Sequence, residues 1–261
     1  MIDVEISKQE WLNTVTGYYE ALYHDLKAPM TMLFNHIQLM EKTEKLSPET
    51  SERLSEIKRA SFRMAKLVRD ANDRMRLSNG MLQPNYMMAD AVTTIEDICK
   101  EACALMQTKD IDIVFKSSEE SIFMAMDKQF WERIVLNILA NSRDYSPPGS
   151  KIAVNLKMQR NNIILSIRDY GIGIPKDKIL DIFSRYEGDT ARGLNTGLGL
   201  YIVKELLLLM NGSIRFVQAK PGAKVVIKAP IFQIKAEKDS MTVDDFFATN
   251  AAQMELSNFR A

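Results

Sequence analysis

The hexapeptide His24-Asp25-Leu26-Lys27-Ala28-Pro29 sets an imidazole directly before a carboxylate. A neutral imidazole can attack phosphorus while a nearby anion holds the opposite ring N–H and stabilises the developing imidazolium. Pro29 removes the N–H that would otherwise bond the Asp25 carbonyl, and a bend there would expose the ring. A histidine on a helix is otherwise an ordinary surface or core residue. His36, the only other histidine, has neither the adjacent acid nor the proline. A second constellation is Asn137-Ile138-Leu139-Ala140-Asn141. Side chains at i and i+4 share a helix face, so both amides would point into one cleft, where an amide oxygen suits Mg²⁺. Asn is a poor mid-helix residue, which favours a chemical role, although two solvated amides would read the same way.

Two glycine-bearing segments follow. In Asp169-Tyr170-Gly171-Ile172-Gly173-Ile174-Pro175, a carboxylate at a strand end can accept the exocyclic N–H of adenine, and the glycines let backbone approach a flat ring. In Asn195-Thr196-Gly197-Leu198-Gly199-Leu200, glycines open a helix whose free N–H groups and positive dipole end suit phosphate oxygens. A connecting loop and a plain glycine-rich helix start are the alternatives. Between them lie Ile182, Phe183, Arg185, Tyr186 and Arg192, the composition expected of a lid over a nucleotide.

Elements must hold these groups in place. Leu22, Leu26, Met30, Leu33, Ile37 and Met40 recur at three and four, predicting one amphipathic helix from Gln9 to Lys42. A second starts after Ser47-Pro48 and carries Leu54, Ile57, Ser61, Met64, Val68, Ala71 and Met75. Two such helices on a short connection form an antiparallel hairpin that cannot bury so long a stripe alone, so a dimeric four-helix bundle is expected. A hairpin docked on the next domain is the plainer alternative. Ser78, Asn79, Gly80 and Pro84 end this part. Beyond it the pattern predicts helices over 91–106, 128–145 and 198–210. Strands are expected over 111–116 and 121–126, with hairpins around Asn161-Asn162 and Pro221-Gly222. The expected fold is α+β: a helical hairpin over 1–80, an α/β sandwich over 81–230, and a polar tail over 231–261.

The chain has 261 residues and equal numbers, 34 each, of basic and acidic residues. No global field therefore draws it to nucleic acid or an anionic membrane, and a partner must be recognised locally. Cys99 and Cys103 lack the companions of a zinc site or a disulfide framework, which fits a reduced cytoplasmic setting. No apolar run has the length of a membrane helix; a parent protein anchored through a further N-terminal part stays open.

In combination and order, the His box, the paired-Asn box, D-x-G-x-G, I-F-x-x-aromatic and G-L-G-L resemble the catalytic core of two-component sensor histidine kinases, over residues 15 to 230. That resemblance implies a gyrase- and MutL-type ATP-binding domain. It makes His24 the phosphoacceptor, Asp25 its assisting acid and Asn141 a Mg²⁺ ligand, with Asn137 near metal and phosphates. Asp169 would hold adenine, with Gly171, Gly173, Ile174 and Tyr145 bordering the nucleotide. Arg185, Arg192, Thr196, Gly197, Leu198 and Gly199 would lie about the phosphates. The implied cofactors are ATP and Mg²⁺, and the implied partners a second copy of the chain and a cytoplasmic response regulator whose aspartate receives the phosphoryl group. Three positions depart from the family pattern. Asp144 stands where a basic residue or His is usual, with Arg143, Arg185 or Arg192 as possible replacements. Asn195 stands for a glycine, and Ala28 for Thr or Asn. A degenerate kinase that only binds nucleotide or a regulator is the alternative reading. A mechanical ATPase is disfavoured by the His box and by Asn137, where those ATPases place a catalytic Glu.

Overall fold

The computed structural model of the chain describes residues 8–43, 46–106, 110–175 and 198–234. The chain divides into two compact units between Gln83 and Pro84. The first is a hairpin of α1 (Lys8–Thr43) and α2 (Pro48–Ser78). The Ser47 hydroxyl caps α2 by accepting from the Thr50 N–H at 3.2 Å, and Pro48 occupies a first-turn position where its missing N–H costs nothing. The helices run antiparallel, since Lys58 reaches Glu41 at 2.8 Å and Phe34 stacks on Phe62 with ring centroids 4.2 Å apart. Both Phe rings are buried, each contributing roughly 2 kcal/mol of burial. This pair lies outside the apolar stripe expected from spacing. Ile57 and Met64, which that stripe includes, are about half exposed in the single chain, together with Leu22, Met32 and Leu39. Helix α1 runs through Pro29 as one element, and the Thr31 hydroxyl bonds the Lys27 carbonyl at 2.9 Å.

The second unit is a helix layer on a mixed sheet. Its elements are β1 (Met87–Asp90), α3 (Ala91–Met106), β2 (Asp112–Ser117), β3 (Phe123–Met126), α4 (Lys128–Tyr145), β4 (Lys151–Gln159), β5 (Asn162–Arg168), α5 (Leu198–Leu209), β6 (Ser213–Gln218) and β7 (Ala223–Pro230). Strand order in the main sheet is β2-β4-β5-β7-β6; β2 and β4 are parallel and the other pairs antiparallel. Strict alternation builds the inner face: Val154 opposes Ile167, Leu156 opposes Leu165, and Leu165 in turn opposes Ile227. Against this face lie α3, α4 and α5, with Trp131, Ile134, Leu139, Ile202 and Leu206 fully buried. The β4–β5 turn falls one residue earlier than the Asn pair suggests. Arg160 takes the positive φ of 55°, and Gln159 already pairs with Asn162.

β1 is a strand that sequence patterning does not reveal. It pairs with β3 in a separate small sheet and leads directly into α3, with Asp90 as the junction. The Asp90 carboxylate accepts from the amides of Val92, Thr93 and Ile122 and from the Thr93 hydroxyl at 2.6 Å. Burial alone would push this carboxyl up, but the hydrogen bonds together outweigh it and hold it below its usual range. A folded-state pKa below the unfolded one contributes stability above the unfolded value of about 3.9, lost as pH falls through the folded value. Asp90→Ala is accordingly expected to cost about 1 kcal/mol at neutral pH through the lost cap. Its deficit against wild type should narrow as thermal unfolding is followed below about pH 4.

Candidate functional site

Helix α4 begins at Asp127, whose carboxylate accepts from the Phe130 and Asn85 amides at 2.9 and 2.7 Å. Burial is the main reason this carboxyl sits above its usual range, although the amides of Phe130, Asn85 and Gln129 partly offset it. The helix carries the paired amides on one face, one turn apart. Asn137 is buried and spends its Nδ2 on the Arg133 carbonyl at 2.9 Å. Its Oδ1 lies against Gly199 of α5, where an added Cβ would collide with it. Gly199 thus lets α5 close onto the first Asn, a packing role beside any role at phosphates. Asn141 is half-buried and has no hydrogen-bond partner among the described residues, so its amide oxygen is available to a ligand.

The carboxylate of Asp169, at the end of β5, is the hub of the second half of the site. Its Oδ1 accepts from the Gly171 N–H at 3.0 Å and from the Ala223 N–H at 2.9 Å, while its own N–H donates to the Ala223 carbonyl at 3.0 Å. One oxygen therefore ties the glycine loop to the β6–β7 turn. The other, Oδ2, has no partner among the described residues. The glycines are required by contact. A Cβ on Gly171 would collide with the Tyr145 carbonyl, and one on Gly222 with the Asp169 carbonyl. Gly222 also holds φ at +89° and Gly173 at +75°. The Ile172 amide donates to the same Tyr145 carbonyl at 3.3 Å, so the last turn of α4 anchors the loop that follows β5. Tyr145 and Ile174 are exposed and half-exposed beside it, and Ile172 stands 79% exposed. A cavity of about 210 Å³ opens between Gly171–Ile174 and the Phe216–Ala223 segment.

Pro221-Gly222, expected only as a turn, also brings the Ala223 backbone onto Asp169. The signal available was a glycine beside a proline in a hairpin, which does not reveal a long-range contact. Arg143 does not offer the cation that Asp144 displaces. It is fully buried, and its Nε and Nη2 bond Asp144 Oδ1 at 3.0 and 2.7 Å. Arg185, Arg192, Thr196 and Gly197 lie outside the described residues, as does Asn195; Leu198 and Gly199 open α5. Among the described residues no cluster of His, Cys, Asp or Glu could hold a metal. Burial pushes the Cys99 thiol up to about 12, consistent with an inert core thiol.

In the first unit, His24 and Asp25 are exposed on α1, their side chains 87% and 81% accessible, with Nδ1 3.9 Å from Oδ1. That gap is longer than a hydrogen bond. His36 is also exposed, on a later turn of α1, with no acid beside it.

Residues 126–233 match the family described as histidine kinase-, DNA gyrase B-, and HSP90-like ATPase. Sensor histidine kinase YvrG of Bacillus subtilis is 31% identical over 220 residues, covering 81% of this chain and 36% of that protein. The chain thus spans about a third of the length of this relative. Among solved structures, full-length ShkA in complex with AMPPNP superposes with a TM-score of 0.68 at 20% identity, covering 84% of this chain and 47% of that one. ThkA in complex with the response regulator protein TrrA gives 0.58 at 16% identity, covering 87% and 64%. At these identities the structural likeness is one of fold.

The contacts make a differential stability prediction. Gly171→Ala must move the loop or the end of α4 and should cost about 1–3 kcal/mol. Asn141→Ala, losing no internal bond, should stay within about 0.5 kcal/mol of wild type. Thermal denaturation of the two variants checks both.

Proposed function

The chain belongs to the histidine kinase family, and on that premise we propose that it binds Mg-ATP in residues 81–230 and phosphorylates His24 on a hairpin paired with a second copy. The group would then pass to an aspartate of a response regulator. One observation above all supports this reading: an exposed imidazole next to an exposed carboxylate lies in the same chain as an ATPase domain whose Asn141 amide and Asp169 Oδ2 are unspent. ShkA with AMPPNP and ThkA with TrrA are neighbours whose ligand and partner accord with it. The half-exposed Leu22, Met32, Ile57 and Met64 supply the apolar surface a second hairpin would cover.

The chemistry follows from the groups present. The Nε2 lone pair of neutral His24 attacks the γ-phosphorus; an N–P bond forms as the P–O bond to ADP breaks, and ADP departs with that electron pair. The remaining Nδ1–H turns to Asp25, which stabilises the imidazolium. Asn141 is the residue that would hold Mg²⁺. A single amide oxygen suffices, because this ion keeps waters and substrate phosphates as its other ligands. When bound, Mg²⁺ neutralises charge on the phosphates. Asp169 Oδ2 would accept the adenine amino group, at a spot fixed by the two bonds to Oδ1.

The pairing of Arg143 with Asp144 favours a second reading, in which the chain binds nucleotide or a regulator without transferring phosphate. Incubation with γ-labelled ATP and Mg²⁺ separates the two. Catalysis predicts an acid-labile, base-stable label that disappears in His24→Gln and persists in His36→Gln. Absence of label in wild type, or label retained in His24→Gln, would sink the kinase reading.

Ala28 lies one turn after His24 and is exposed, on the face where a Thr or Asn hydroxyl or amide would orient water. Its methyl group can neither donate nor accept. Weak phosphatase action toward a phosphorylated regulator is the expected outcome, with a gain in Ala28→Thr; decay of the phospho-regulator in the presence of ADP and Mg²⁺ reads it. Strong acceleration by the unaltered protein would contradict this.

A further inference from the structure

The face of the main sheet turned away from the helices is cationic. Across the five strands every charged residue except Asp112 is Lys or Arg, although the chain as a whole is balanced. Asp112 lies at the start of edge strand β2, opposite Lys151. The register lines up the outward side chains in rows. One row runs Lys157, Ile164, Lys228, Ser213; the next runs Ser166, Val226, Arg215; and Arg168 directly opposes Lys224. Like charges set directly opposite each other cost stability, so the fold gains nothing from this arrangement. Lys157, Arg215, Lys224 and Lys228 have no ion-pair partner among the described residues, whereas Arg168 lies over the Tyr170 ring at 4.8 Å.

The face is also hollow. Lys157, Arg160, Arg215, Lys224 and Lys228 border a groove of about 560 Å³ whose floor includes the half-buried side chains of Ile164 and Val226. Across four strands at roughly 4.8 Å spacing it is roughly 14 Å wide, too broad for a single phosphate. An apolar floor inside a polar, charged border is the anatomy of a protein–protein contact. A flat bilayer would meet the rim and leave the floor uncovered, and a nucleic-acid backbone would make no use of Ile164 and Val226.

We propose that this outer sheet face docks an acidic segment of a partner protein, one that sets carboxylates against the Lys157–Arg215–Lys228 rim and an apolar side chain against Ile164 and Val226. Charge complementarity would govern its association rate and salt dependence. The groove is lined by neither Asp169 nor Asn141.

The test uses the full chain and a fluorescein-labelled peptide of alternating Glu and Val, with the Gln and Val peptide as control, followed by anisotropy. Expected is binding of the Glu peptide only, weakening at least roughly tenfold between about 0.05 M and about 0.5 M salt, and by a similar factor in Lys157→Glu/Arg215→Glu/Lys228→Glu. The milder Lys157→Gln/Lys228→Gln should fall between, should the triple variant fold poorly. A fluorescent ATP analogue should bind both variants as it binds wild type. No binding of the Glu peptide, or unchanged binding in both variants, would overturn the proposal. So would tighter binding to phosphatidylglycerol vesicles or duplex DNA with the same variant dependence, which would make the face a lipid or nucleic-acid surface.

Discussion

The second unit is organised around one carboxylate with two oxygens in different employment. Asp169 Oδ1 takes two backbone N–H groups from segments far apart in sequence, at Gly171 and Ala223. A carboxylate so held cannot rotate without breaking charge-assisted bonds, so Oδ2 is aimed by the fold. The surrounding glycines exist to permit it: Gly222 presses its Cα on the Asp169 backbone, and Gly171 slides beneath the end of α4. The position of this carboxylate is thus inherited from the sheet. Strand β5 delivers the carboxylate, β7 clamps it, and α4 fixes the loop in between.

The hairpin has the opposite character. Its core is thin in a single chain: Met30, Phe34, Ile37, Leu54, Phe62 and Ala65 are buried, while apolar residues of similar size on the same helices remain in water. Surface of that kind costs free energy until something covers it. A second hairpin is the cover proposed above. His24 and Asp25 likewise stay in water, and the phosphoacceptor role proposed above requires that access.

Much of this was legible in the sequence because it rests on period. The helices of the hairpin, α4 behind Asp127, and the alternating strands β4, β5 and β7 all emerge from spacing and caps. What escaped depends on contacts that spacing does not encode. Strand β1 is four residues long and pairs with an equally short β3. The Phe34–Phe62 stack hides behind Leu and Met positions that fit the helical stripe equally well. The paired asparagines were legible as a pair, but not their division of labour, which arises because Gly199 of α5 abuts Asn137 and leaves Asn141 open. The burial of Arg143 against Asp144 was equally invisible, since a neighbouring acid and base read as two solvated charges until the helix is placed.

The claim on which the account turns is that Asp169 reads the base with the oxygen its backbone bonds leave over. Competition of ATP and GTP for a fluorescent nucleotide analogue, on wild type and Asp169→Asn, measures it most directly. An Asn side chain can keep an oxygen toward the Gly171 and Ala223 amides while turning an NH₂ toward the base. Wild type should therefore prefer ATP, and Asp169→Asn should lose that preference by roughly tenfold or more, because a donor replaces the acceptor facing the amino group. ATP bound by Asp169→Asn as tightly and as selectively as by wild type would contradict the account.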